Sequence, residues 1–84
     1  MKEFRKWNYQ KQDYDPYYVP DDKKLVLYSD DMHLVVNCCQ CLKEIIYGDS
    51  YTSLEVHNSI GLGYPVCFNC YQEEKERRNL YDKN

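Results

Sequence analysis

The sequence lacks the features of several large protein classes. Its 84 residues hold no apolar run near the roughly 20 residues that span a bilayer, so we expect no membrane segment. Residues 1–20 carry charges throughout and no hydrophobic signal core, which indicates a cytoplasmic protein rather than a secreted precursor. No basic excess exists either, since 11 Lys and Arg against 14 Asp and Glu give a formal charge of -3. That balance disfavours nucleic acid as a partner.

The chain also has little of what an enzyme needs. A chain of 84 residues has too few residues to enclose a deep pocket easily. The three glycines form no phosphate-binding loop, and the paired acids Asp21-Asp22 and Asp30-Asp31 are typical of turns and solvated loops. We therefore expect neither catalytic activity nor a small-molecule substrate.

Cysteine, in contrast, is abundant, with five residues in the chain. Cys38 with Cys41, and Cys67 with Cys70, form two C-x2-C hooks separated by 25 residues. Such a turn directs both sulfurs at one point about 2.3 Å away, which suits tetrahedral zinc. The sequence therefore predicts one Zn²⁺ per chain, held by Cys38, Cys41, Cys67 and Cys70.

Other uses of the cysteines are weaker predictions. The odd count and the missing export signal disfavour a disulfide framework. Four thiolates would also suit iron, and the layout resembles that of a rubredoxin. That family typically has Gly directly after each hook, where this chain has Leu42 and Tyr71. A rubredoxin-like iron electron carrier stays open as an alternative.

Three further residues could compete for the metal. His33 and His57 are possible ligands, but four well-spaced thiolates already satisfy zinc. Cys39 would make a less usual one-residue spacer with Cys41. We expect it to be a small buried apolar side chain, and an exposed thiol is the alternative.

A metal would matter greatly to a chain of this size. Below about 70–80 residues a hydrophobic core seldom stabilises a fold by more than a few kcal/mol, whereas structural zinc adds roughly 10–16 kcal/mol in small peptides. We expect the metal to decide whether residues 36–81 fold. Four thiolates and one Zn²⁺ together add two negative charges, which takes the formal charge from -3 to -5.

The local patterns predict short strands and one helix. Two β-prone runs, 24–28 and 33–36, predict a hairpin. Residues 44–47 and 51–57 predict strands on either side of a Gly48-Asp49 turn, and 64–66 is extended. A polar helix follows over 70–80, with favourable i,i+4 pairs from Glu73 to Arg77 and from Glu74 to Arg78.

This order of elements carries a family resemblance. The stretch from Cys38 to Tyr71, with "CCQCLKEIIYGDSY" and "PVCFNCY", resembles the small four-cysteine treble clefs related to LIM-type half-modules. The resemblance implies a small metal-stabilised α+β fold, a treble-clef-like zinc finger with β-hairpins and one C-terminal helix. It also implies that the four hook cysteines are the ligands. Size and cysteine layout are similar to those of small host-takeover and anti-sigma proteins of bacteria and phages.

The first part of the chain lies outside this resemblance. We divide the sequence into an aromatic-rich N-terminal arm, 1–23, and a zinc-binding β-hairpin and treble-clef domain, 24–84. Tyr, Trp and Arg are enriched at binding hot spots. The arm therefore predicts a partner-binding surface with the members Phe4, Trp7, Tyr17 and Tyr18. The alternative is that Phe4 and Trp7 fold back to cover the small core.

Together these patterns favour a structural-zinc module that binds another protein. A regulator or inhibitor of a larger partner is the most concrete reading, and a basic surface on that partner would complement the acidic chain. The alternative is a nucleic-acid-binding zinc finger, because tyrosines can stack on single strands.

Overall fold

The computed structural model describes residues 1–82, with side chains as far as Asn79. It contains six strands and one helix, and a single 3-10 turn at Tyr47–Asp49 follows the fourth strand. The elements are β1 (Lys2–Asn8), β2 (Asp13–Val19), β3 (Val35–Asn37), β4 (Glu44–Ile46), β5 (Tyr51–His57), β6 (Gly63–Val66) and α1 (Phe68–Asp82). This is a small α+β fold with one C-terminal helix. In the part of the chain described, no helix is both long and apolar enough to cross a membrane.

Four of the strands form one antiparallel sheet in the order β2-β1-β5-β6. β1 pairs with β2 along its whole length and with β5 through Arg5 opposite His57 and Lys6 opposite Val56. The segment 1–23, predicted as an arm, therefore supplies two strands of the same sheet as β5 and β6. It is not detached from the second half of the chain.

Side-chain hydrogen bonds shape the turn between β1 and β2. The Asn8 Oδ1 atom accepts the backbone N–H groups of Gln10 and Lys11 at 2.9 and 3.1 Å. Its amide nitrogen donates to Asp15 at 2.8 Å across the hairpin, and Gln12 takes a positive φ of 57°. A locally bonded Asn of this kind is a common way to close a turn.

Both outer strands of this sheet contain a proline. Pro16 lies in β2 opposite Arg5, and Pro65 lies in β6 opposite Thr52. Proline lacks an N–H to donate, so outer strands are where sheets tolerate it.

The predicted hairpin between 24–28 and 33–36 is wrong. Residues 24–34 form no strand, and β3 pairs instead with β4, through Val36 opposite Ile45. The first cysteine hook joins β3 directly to β4, so this pairing closes a short loop. At the start of the run 24–28, Asn37 donates its N–H to the Lys24 carbonyl at 3.0 Å and accepts the Lys24 N–H on Oδ1 at 2.8 Å.

The core of the described residues consists half of cysteine. Its buried members are Phe4, Val19, Val56 and Val66 together with Cys38, Cys39, Cys67 and Cys70. Phe4 is 9% exposed and meets the Tyr64 ring edge-to-face at 4.4 Å. Aromatic pairs of this geometry add to the energy of burial. The sheet therefore closes over the cysteines through a few apolar side chains from β1, β2, β5 and β6.

A buried carboxylate anchors α1 to β5. Glu74 is fully buried, and its two oxygens accept the Ser53 hydroxyl at 2.7 Å and the Leu54 N–H at 2.8 Å. Burial raises the pKa of Glu74, although these two donors oppose the shift. One turn further on, the Arg77 guanidinium binds both oxygens of the buried Glu55.

The ion pairs predicted along α1 are therefore replaced by contacts across the fold. Arg77 pairs with Glu55 on β5 instead of with Glu73, and Glu74 faces the sheet instead of Arg78. A carboxylate that can reach buried donors gains more than one that pairs with a solvated cation.

β5 is irregular at the position where α1 crosses it. Its register with β6 shifts between Thr52 and His57, and the Ser53 hydroxyl accepts the N–H groups of Glu55 at 3.1 Å and Val56 at 2.7 Å. β6 approaches closely here, since a Cβ atom at Gly63 would lie 2.2 Å from the Ser53 carbonyl oxygen. Only glycine fits at this position.

Gly63→Ala tests this close approach. We expect it to lower the free energy of unfolding of the metal-loaded protein by about 1–3 kcal/mol, because the added methyl group must displace backbone. Chemical denaturation followed by circular dichroism measures the effect. Ser59→Ala, at an exposed position before β6, is the control and should change stability little. An unchanged Gly63→Ala midpoint would contradict the close packing of β6 on β5.

Glu74→Gln tests the buried carboxylate through its pH dependence. The pKa of Glu74 lies above its ordinary value of 4.5 in the folded protein, so the folded state binds this proton more tightly than the unfolded state. The stabilisation that comes from protonating Glu74 is fully present below pH 4.5 and is lost as the pH rises through the pKa of Glu74 in the folded protein. Glutamine does not titrate there.

We therefore expect the free energy of unfolding of the wild type, relative to Glu74→Gln, to fall as the pH rises through that range and then to level off. Parallel denaturation series of the two proteins measure it, and metal loss at low pH affects both alike. A difference that grew with pH would contradict the direction of the shift.

Candidate metal centre

Four cysteines from two distant parts of the chain come together at one point. Their sulfur atoms all lie within 4.8 Å of one another. Cys38 and Cys41 belong to the first hook, the turn between β3 and β4, whereas Cys67 and Cys70 belong to the second hook, where β6 passes into α1. The two hooks predicted from spacing therefore form a single cluster, and this cluster can hold a metal ion.

The spacing of the sulfurs fits a tetrahedral ion. Bonds of about 2.3 Å to a central zinc place neighbouring sulfurs about 3.8 Å apart. The Cys41 and Cys67 sulfurs, one from each hook, are 3.8 Å apart. Cys38, Cys67 and Cys70 are buried and Cys41 is exposed. An ion held among the four sulfurs would therefore be enclosed by protein except on the side of Cys41, where solvent could approach it.

The first hook is stabilised by hydrogen bonds within its own turn. The Leu42 N–H donates to the Cys38 carbonyl and the Cys38 N–H donates to the Lys43 carbonyl, each at 2.8 Å. Leu42 takes a positive φ of 69°, a conformation that costs a residue with a side chain roughly 1–2 kcal/mol. Leu42 thus occupies the left-handed position for which glycine is better suited.

Backbone donors surround one of the four sulfurs. The N–H groups of Gln40 and Cys41 point at the Cys38 sulfur at 3.4 Å, and that of Cys67 does so at 3.3 Å. Burial alone would raise the pKa of Cys38, but these donors lower it to about 7. The donors therefore favour the thiolate, which is the form that binds a metal.

The pKa values of Cys41 and Cys70 are raised, so these two thiols need a nearby positive charge to become thiolates. Burial, together with the neighbouring cysteines, raises the pKa of Cys70, and burial raises that of Cys41. A divalent cation among the sulfurs would supply that charge. The N-terminus of α1 contributes as well, because Cys67 directly precedes the helix, Cys70 lies in its first turn and the helix dipole favours anions there.

Cys39 lies outside the cluster, as the sequence predicts. It is buried in the core, and its N–H donates to the Pro65 carbonyl at 3.0 Å. Burial raises the pKa of its thiol to about 12. Cys39 therefore packs as a small apolar side chain and links the first hook to β6.

Tyr17, which lies in the neighbouring sheet, contacts the backbone of the first hook. Its hydroxyl donates to the Cys39 carbonyl and lies 3.2 Å from the Gln40 carbonyl oxygen. Burial and the nearby cysteines, Cys39 first, raise the pKa of Tyr17 to about 12, so the hydroxyl stays a donor. The sequence places Tyr17 on a partner surface and offers no signal for this contact, which spans more than 20 residues of chain.

The four residues predicted as a partner surface do not share one face. Phe4 is buried in the core, and Tyr17, opposite it across the hairpin, faces the first hook. Trp7 is half-buried, with its ring edge-to-face on Tyr14 at 4.8 Å, whereas Tyr18 is 58% exposed. The position of Phe4 agrees with the alternative prediction, in which Phe4 folds back to cover the core. Trp7 and Tyr18 remain available on the opposite face of the hairpin.

No protein family, curated protein or solved structure matches the chain when its sequence and fold are compared with them. The function must therefore be inferred from the site and the surface of this protein.

Cysteine substitutions test which sulfurs bind the metal. We expect Cys38→Ser to lower the bound metal to well below one ion per chain, because a closed tetrahedral site needs all four sulfurs. Cys39→Ser is the matched control: it is the adjacent residue and undergoes the same change, and it should keep full metal content. Elemental analysis after gel filtration measures both. Metal loss in Cys39→Ser together with full retention in Cys38→Ser would overturn the ligand set.

Proposed function

We propose that the chain is a treble-clef zinc module that acts by binding another protein. The order of its elements supports this fold. A hairpin, β3 and β4, carries the first hook, a second hairpin, β5 and β6, follows, and α1 starts at the second hook. The treble clefs that the cysteine pattern resembles are arranged in the same order.

The observation that carries the proposal is the close approach of four cysteine sulfurs, all within 4.8 Å. Four thiolates complete the tetrahedral shell of zinc and leave no open position for a substrate or an activated water. Such a site stabilises a fold rather than performing a reaction. Zinc is proposed over iron because Tyr71 follows the second hook, where rubredoxins have glycine.

The position of the site in the fold explains why a metal would be needed. Half of the core residues described are cysteines. Because apolar side chains contribute only about 1.5–3 kcal/mol each when fully buried, the few valines and Phe4 make a small core. A bound ion would join the first hook to the helix and so hold the two halves of the structure together.

Binding of a protein is the activity that the surface best supports. Several large apolar side chains are exposed, among them Tyr18, Tyr28 and Phe68. Aromatic residues of this kind are enriched where proteins bind one another. A regulator or inhibitor of a larger protein is the role that we propose for a chain of this size.

Metal removal tests the proposal directly. We expect freshly purified, colourless protein to contain one zinc ion per chain. A strong chelator should abolish most of its circular dichroism, and added zinc should restore it. Elemental analysis and far-ultraviolet spectra measure these outcomes. A red protein that contains iron would favour the electron-carrier alternative instead, and metal-free protein with an unchanged spectrum would overturn the metal centre.

A further inference from the structure

A strip of exposed and half-buried aromatic and basic side chains runs along one flank of α1. We define this aromatic-basic strip by six residues, two from β5 and four from the helix: Tyr51, Leu54, Phe68, Tyr71, Lys75 and Arg78. Phe68 is 50% exposed and Tyr51 is 40% exposed. The strip begins beside the second hook and ends near the turn between β1 and β2, which Arg78 reaches by donating to the Tyr9 hydroxyl at 2.6 Å.

The aromatic end of the strip is held in place by ring contacts. The Tyr51 and Tyr71 rings stack with centroids 4.9 Å apart and planes 21° apart. Phe68 tilts against Tyr51 at 5.5 Å. Rings that are already fixed lose little conformational freedom when a partner binds, which makes them effective anchors.

The helix separates its charges by flank. With 3.6 residues per turn, Phe68, Tyr71, Lys75 and Arg78 follow one another at intervals of three or four and share one side. The carboxylates of Glu73 and Glu76 fall on the opposite flank, and Glu74 points into the protein. Among the side chains described, which end at Asn79, this flank therefore carries two cations and no acid.

Among the side chains that the structure describes, neither cation is paired with a carboxylate. The Lys75 ammonium lies 5.7 Å from the centroid of the Tyr71 ring, and Arg78 donates to the Tyr9 hydroxyl. A shallow cleft of about 200 Å³ opens between Leu54, Tyr71, Lys75, Arg78 and Asn79. Its size suits one apolar side chain with carboxylates on either side.

We propose that the aromatic-basic strip binds a short acidic and apolar segment of a partner protein. The apolar side chain would enter the cleft beside Leu54, and its flanking carboxylates would pair with Lys75 and Arg78. This inference rests on the proposed function and names the part of the surface that carries it.

An acidic segment differs from the basic partner that the overall composition predicts. Net charge governs approach over long distances, but salt screens it over about 10 Å at 0.1 M. At contact the nearest charges decide, and the described charged side chains of this flank, Lys75 and Arg78, are positive. The chain can therefore be acidic overall and still accept an acidic segment here.

Single-stranded nucleic acid fits the strip less well. Base stacking needs an open ring face, whereas Tyr71 has one face on Tyr51 and an ammonium near its ring. Two cations are also few for a strand that carries one charge per nucleotide. The test below nevertheless includes such a strand.

Selection from a random dodecapeptide display library tests the proposal with the full, zinc-loaded chain. We expect the enriched peptides to carry carboxylates next to an aromatic or aliphatic residue. Lys75→Glu and Phe68→Ala should each weaken the binding of such a peptide by about tenfold or more. The matched control is Lys24→Glu, which makes the same charge change beside β3 and should leave the affinity unchanged. Zinc content and circular dichroism confirm that each variant is folded.

Other outcomes separate the strip from the proposed function. Enriched peptides rich in lysine and arginine, or acidic peptides that bind Lys75→Glu normally, would overturn the strip but keep a protein-binding role. Failure to enrich any peptide, together with salt-sensitive binding of labelled oligothymidine, would overturn both. Failure to bind either probe would also count against the strip.

Discussion

The sulfur cluster is the constraint on which the rest of the structure depends. In most domains a hydrophobic core and a metal site are separate, but here they coincide, because Cys38, Cys67 and Cys70 are core residues as well as candidate ligands. Packing and coordination therefore act on the same atoms. The surrounding contacts serve this arrangement: Tyr17 braces the first hook from the large sheet, and Glu74 fixes α1 against β5. A substitution at one of these contacts should therefore alter the arrangement of the four sulfurs.

Local patterns were enough to predict the site and much of the second half of the chain. A C-x2-C turn depends on only four residues, so the spacing alone identifies which sulfurs can converge. The strand predicted over 51–57 is confirmed with the same ends, and the helix predicted over 70–80 is confirmed as Phe68–Asp82. Leu42, the residue directly after the first hook, adopts a glycine-like φ without being glycine. This is why the chain departs here from a family pattern, such as that of rubredoxins, in which glycine follows the hook.

Long-range pairing was beyond the sequence. β1 and β2 mix charged and aromatic residues without a regular alternation, and Pro16 looks like a break in a strand rather than a residue of an outer one. Nothing local indicates that β1 lies beside β5, some 50 residues away. The burial of Glu55 and Glu74 could not be predicted for the same reason. A carboxylate is expected to be solvated unless the distant groups that donate hydrogen bonds to it are known. The misassigned partner of β3 likewise reflects a competition between two pairings that local propensity cannot rank.

The prolines in β2 and β6 have a consequence for how this protein can meet others. An extended segment that joins a sheet at its rim needs an unbroken row of main-chain donors and acceptors. Pro16 interrupts that row on one side, and on the other Pro65 does so while its carbonyl is already taken by Cys39. Strand addition, and with it fibrous self-association through the large sheet, is thereby discouraged. Recognition is left to side chains on the surface of the protein, which ties specificity to the identity of a few residues rather than to the shape of the backbone.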